Sequence, residues 1–70
     1  MKLIKNGNHN GSDLILIRFD NVAELEAEIQ AVDERVQSGS DDSKPYLYTL
    51  KQTLKNGQAS LGFETYELAL

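Results

Sequence analysis

From Asp13 to Phe19 the chain reads DLILIRF, with apolar side chains at five of its seven positions. The run "LILI" is apolar on both faces of a strand, which predicts a strand in the interior of a sheet. Alternation places Ile15, Ile17 and Phe19 on one face and Leu14, Leu16 and Arg18 on the other. Residues 2–5 form a shorter apolar stretch and are expected to be a first strand. The intervening "NGNHNGS" reads as a loop, because Asn-Gly pairs are strong turn signals.

After Phe19 the period changes. Val22, Leu25, Ile29, Val32 and Val36 follow a 3-4-3-4 spacing and fall within an arc of about 80° at 100° per residue, the apolar stripe of an amphipathic helix. Asn21 suits the N-cap, and Glu24 three positions later completes a capping-box pattern. The helix is predicted over about 22–37. Gly39 ends it, and "SGSDDSKP" makes residues 38–45 a polar linker closed by Pro45.

The last third reads as a hairpin. A two-residue turn at Asn56-Gly57 pairs Lys55 with Gln58, and successive pairs put Tyr48, Leu50, Leu54, Ala59, Leu61 and Phe63 on one face. Leu47 and Tyr66 fall on the opposite face. Strands are expected over about 46–55 and 58–67. The predicted architecture is one α+β domain over residues 1–70, of β-β-α-β-β order. It has two layers, with one amphipathic helix packed on a small, mainly antiparallel sheet. Its outer sheet face would then show Leu14, Leu16, Leu47 and Tyr66, more apolar surface than a monomer needs.

Composition narrows the chemistry. Hydrophobic residues at 40% and charged residues at 26% fit a globular domain. The absence of cysteine removes disulfides, thiolate nucleophiles and the common zinc and iron–sulfur sites. The N-terminal residues lack the apolar core of a signal peptide, and no apolar run approaches a membrane span. A cytoplasmic, soluble protein without membrane contact is expected.

The net charge of −4 is unevenly spread. Residues 20–42 hold eight of the eleven acids (Asp20, Glu24, Glu26, Glu28, Asp33, Glu34, Asp41 and Asp42) and one base, Arg35. The rest holds six bases (Lys2, Lys5, Arg18, Lys44, Lys51 and Lys55) against Asp13, Glu64 and Glu67. Such asymmetry acts on partners and association rates rather than on the fold.

No catalytic, cofactor-binding or metal-ligating set emerges. His9, the one histidine, has only Asp13 nearby in sequence to orient it, and lies in a glycine-rich turn. The same loop lacks the lysine and the following helix of a phosphate-binding loop. Asp41-Asp42 lacks the alternate-acid spacing of a calcium loop. The serines have no base to activate them. No enzyme activity and no cofactor are expected.

Two surfaces remain. One is the acidic helix, Glu24, Glu26, Glu28, Asp33 and Glu34, arranged around exposed Ala23, Ala27 and Ala31. The other is the outer sheet face with Leu47 and Tyr66. The expected function is a small protein-binding module whose acidic helix meets a basic, nucleic-acid-binding surface of a partner protein. Inhibitors carried by phages and mobile elements are often small acidic domains of this size. The alternatives are a homodimeric structural or accessory subunit joined through the outer sheet face, and a single-strand nucleic-acid binder using Lys51, Lys55 and Arg18 beside Tyr66.

Overall fold

The computed structural model describes residues 2–9 and 12–69. The elements are β1 (Lys2–His9), β2 (Ser12–Phe19), α1 (Val22–Gln37), a short 3-10 turn (Asp41–Ser43), α2 (Lys44–Asn56), β3 (Gln58–Leu61) and β4 (Glu64–Leu68). The four strands form one mixed sheet in the order β1-β2-β4-β3. The outer pairs are antiparallel, and the central pair, β2 with β4, is parallel. The fold is a small α+β domain, with two helices rather than one.

β1 and β2 are longer than the sequence pattern suggests. β1 continues to His9 and β2 begins at Ser12, so most of "NGNHNGS" is strand. The Asn6-Gly7 pair is absorbed as an irregularity: Lys5 stands opposite Ile15, but Asn8 opposite Asp13, giving β1 one extra residue. The Asn10-Gly11 pair lies outside the described residues.

α1 forms as its periodicity predicts, except that Val22, the first residue of the expected stripe, is exposed. Asn21 is the N-cap, and its side chain accepts a hydrogen bond from the Glu24 backbone N–H at 2.8 Å. The Glu24 carboxylate reaches back to the Asp20 N–H at 3.4 Å, one residue before the cap. Leu25 and Val32 are fully buried, and Ile29 and Val36 pack beside them.

The principal correction concerns residues 46–55, expected as a strand and found within α2. The segment satisfies both periods. Tyr46, Tyr48, Leu50 and Leu54 alternate, but Leu47, Leu50, Thr53 and Leu54 also lie on one helical face. Three features decide for the helix. Pro45 occupies the first helical turn, where its missing N–H costs nothing. Thr49 and Thr53, strand formers by propensity, donate their hydroxyls to the Pro45 and Thr49 carbonyls at 2.8 and 2.9 Å and are satisfied within the helix. Gly57 takes φ +85°, and its N–H bonds the Thr53 carbonyl at 2.8 Å. The Asn56-Gly57 pair thus ends a helix instead of turning a hairpin. The actual hairpin joins β3 to β4 through Gly62 and Phe63.

This change moves side chains between layers. Ile17, Phe19, Leu25, Val32, Leu47, Leu50, Tyr66 and Leu68 form the core. Tyr66 lies beside Ile17, and Leu68 beside Phe19, under the helices. Tyr48 and Phe63, placed on the core face by the hairpin register, are instead 66% and 61% exposed. α2 lies over β3 and β4, and α1 lies chiefly against α2. The end of β4 is tied down by bonds from the Leu68 N–H to the Gly57 carbonyl and from the Ala69 N–H to the Phe19 carbonyl, both at 2.9 Å.

The helix stop can be tested. A methyl group at Gly57 would meet no atom within 4 Å, so Gly57→Ala exposes the backbone cost alone. The substitution should lower stability by about 1 kcal/mol in urea unfolding, and Gly57→Asn by less. A neutral Gly57→Ala variant would contradict a left-handed helix stop.

Candidate functional site

α1 carries the candidate acidic surface, and its two flanks differ. Successive residues turn by about 100°, so Glu24, Glu28 and Arg35 share one flank while Glu26 and Asp33 share the other, with Glu34 between them and opposite the core stripe. The Glu28 flank meets α2. The Tyr46 hydroxyl donates to Glu28 Oε2 at 2.7 Å, and Arg35 is close enough to act on the same phenol. Glu28 therefore has a structural role that its spacing did not reveal. It anchors the start of α2 to the middle of α1.

The contact extends into the sheet. The Tyr46 and Tyr66 rings meet at a centroid separation of 5.5 Å and a tilt of 52°, a favourable geometry for an aromatic pair. The Tyr66 hydroxyl donates to the Glu64 carboxylate two residues back on β4. Glu28, Tyr46, Tyr66 and Glu64 thus connect α1, α2 and β4 through one half-buried cluster. Burial first, and then the hydrogen bond to Glu28, raises the Tyr46 phenol well above its ordinary pKa. Tyr66 is raised in the same way, by burial and then by Glu64.

The acids of the other flank have lighter duties. Asp33 accepts a hydrogen bond from Gln37 Nε2 at 2.8 Å, one turn along the helix. Glu26 and Glu34 are exposed and form no ion pair with any described residue. Ala23, Ala27 and Ala31 are exposed beside them. Glu24 belongs to the helix cap. The expected five-acid surface narrows to Glu26, Asp33 and Glu34.

The second expected surface is not assembled. Leu47 is 8% exposed and Tyr66 2%, and both belong to the core, because residues 44–56 are helical and cover β4 from the inner side. The outer sheet face instead carries the rows Arg18–Glu67–Gln58 and Ile4–Leu16–Thr65–Ser60. Leu14 lies outside the described side chains. Arg18 Nη2 pairs with Glu67 Oε1 at 3.5 Å, and the Ser60 and Thr65 hydroxyls are 3.3 Å apart. Lys51 and Lys55 are exposed on α2, away from this face. Arg18, Tyr66 and the two lysines therefore do not come together as a stacking platform.

No group of three or more His, Cys, Asp or Glu side chains among the described residues is arranged to hold a metal ion. No helix among them is long and apolar enough to cross a membrane.

The tyrosine–glutamate cluster makes a prediction with a definite sign. Both phenols ionise at higher pH folded than unfolded, so their contribution is complete below about pH 10 and is lost as pH rises from there. Tyr46→Phe should cost about 1.5–3 kcal/mol at pH 7, the net value of one hydrogen bond to a charged group. It should also make the decline in stability above about pH 10 shallower, because one fewer phenol ionises on unfolding. Urea unfolding at pH 7 and at pH 10.5 checks both. Equal alkaline slopes in the variant and the parent would contradict the role given to Tyr46.

No protein-family model, curated protein or solved structure matches this chain.

Proposed function

We propose that this chain is a small non-enzymatic protein-binding module, and that the outer face of α1 engages a basic surface on a partner protein. The observation that carries this reading is the set Glu26, Asp33 and Glu34, of which Glu26 and Glu34 are exposed and Asp33 is half-buried. It lies on the flank of α1 away from α2, with no described base paired to Glu26 or Glu34. Glu24 and Glu28 add to the negative field but are already used by the cap and by Tyr46. The exposed Asp41 and Asp42 extend the field beyond the end of the helix.

The chemistry suits fast, salt-sensitive association. Acids of one sign on a rigid helix steer a basic partner into contact, and salt at physiological strength screens that attraction beyond about 8 Å. The exposed alanines let a partner backbone come close to the helix without first displacing long side chains. A protein surface that binds nucleic acid is a natural target, since it is basic already. The outer-sheet homodimer has less support, because two of its four apolar members are buried in the core.

The test uses affinity capture from a host lysate, followed by titration with the purified partner. The triple variant Glu26→Gln, Asp33→Asn, Glu34→Gln should bind that partner roughly tenfold more weakly, at about 0.2–1 kcal/mol per exposed charge pair. Its binding should also depend less on salt than the parent's. Unchanged affinity in the triple variant would remove α1 from the interface.

A further inference from the structure

Asn56 and Gly57 meet at the end of α2, and the pair has a chemistry of its own. Asparagine is a labile residue. The main-chain nitrogen of the residue that follows can attack the side-chain Cγ and expel the amide as ammonia. Glycine is the most permissive follower, because it brings no side chain to crowd the ring and its backbone turns freely. Space is available here: Asn56 is exposed, and no atom lies within 4 Å of where a Cβ would stand at Gly57.

Three hydrogen bonds restrain the pair. The Gly57 N–H, the attacking group, donates to the Thr53 carbonyl at 2.8 Å. Thr53 is fully buried, and its own hydroxyl donates to the Thr49 carbonyl at 2.9 Å. On its other side, the Gly57 carbonyl accepts the Leu68 N–H at 2.9 Å. The Asn56 side-chain amide donates to Gln52 Oε1 at 3.2 Å, one turn back along the helix. A nitrogen whose proton is held in a hydrogen bond is not free to lose it and attack. Ring closure also requires Asn56 to leave its helical backbone angles. Yet Asn56 is the last residue of α2, and helix ends fray.

We propose that Asn56 is a deamidation site controlled by the last turn of α2, closed while Gly57 is bonded to Thr53 and reactive when that turn frays. In the frayed state the deprotonated Gly57 nitrogen bonds to Cγ of Asn56. The Cγ–Nδ2 bond breaks, and Nδ2 takes up a proton and leaves as ammonia. The cyclic imide that remains is opened by water at either of its carbonyls. One opening leaves aspartate in place of Asn56, and the other leaves isoaspartate, with the main chain routed through the former side chain. No oxidant, reductant or further reactant is needed.

Both products act back on the fold. Each places a carboxylate at the C-terminal end of α2, where the helix dipole favours a cation such as the neighbouring Lys55. Isoaspartate also adds a methylene to the backbone just before Gly57, so the bonds to Thr53 and from Leu68 cannot both keep their geometry. The Leu68 bond ties down the end of β4, and its loss reaches the sheet. Fraying is reversible, but a chain modified while frayed keeps its helix stop weakened. This site is separate from the acidic face of α1.

The test is to age the full chain at mildly alkaline pH and to map the modified peptides by mass, which separates Asn56 from the Asn-Gly pairs at 6–7 and 10–11. The folded chain should lose the Asn56 amide roughly tenfold or more slowly than a blocked peptide of residues 54–60, since only the open fraction reacts. In concentrated guanidinium chloride the chain should react at the rate of the peptide. Dilute denaturant should change the folded rate little, because fraying one turn exposes little surface. The modified chain, separated by its extra negative charge, should melt below an Asn56→Gln variant aged beside it. A folded chain that reacts as fast as the peptide would overturn the protective role of the helix stop. A rate that follows global unfolding would remove the control from the last turn of α2, and an unreactive Asn56 in the unfolded chain would remove the site. An unchanged melting curve for the modified chain would overturn its effect on the fold.

Discussion

The parallel pairing of β2 with β4 is the constraint on which the rest of the fold depends. Arg18 and Glu67, neighbours across that pairing, are 49 residues apart in the chain. Parallel neighbours cannot be joined by a tight turn and need a long crossover. Here α1 and α2 together make that crossover, and both pack on the same face of the sheet. The pairing sets Ile17 beside Tyr66 and Phe19 beside Leu68, and this block of four is what Leu25, Val32, Leu47 and Leu50 cover. In a chain this small that single layer is nearly the whole core. β1 and β3 are then added on either side by local antiparallel pairing.

Parts of the fold set by local pattern were legible in the sequence. The two faces of β2, the span of α1 and its Asn21–Glu24 cap all follow from spacing within a few residues. Residues 46–55 are ambiguous in sequence because Leu50 and Leu54 fit both a period of two and a period of 3.6. The Asn56-Gly57 pair likewise serves either a hairpin turn or a helix stop. The choice was made by context: Pro45 starts a helix well, and the sheet needs a second helix to cover β3 and β4. A local hairpin rule contains neither fact. Tyr66 and Leu47 changed face as a consequence.

The acidic surface was legible in composition and in helical phase, but its division was not. Spacing alone makes Glu28 equivalent to Glu26. Only the position of Tyr46 on α2 distinguishes them, since it commits Glu28 to a hydrogen bond and leaves the Glu26 flank outside that contact. The Glu28–Tyr46–Tyr66–Glu64 cluster thereby has two effects. It fastens both helices to the sheet, and it keeps part of the negative charge on the structural side of α1. The basic residues follow a similar division, with Lys2 and Lys5 on an edge strand and Lys51 and Lys55 on the exposed face of α2.

Native-state amide hydrogen exchange in low urea tests the central claim most directly. If the β2–β4 ladder under the two helices holds the fold together, the slowest amides will lie in residues 15–19 and 64–68 and will exchange only through global unfolding. The edge amides of β1 will exchange through a smaller, local opening with little dependence on urea. Protection of β1 equal to that of β4, or opening of β4 before β1, would contradict the account and place the stabilising core elsewhere.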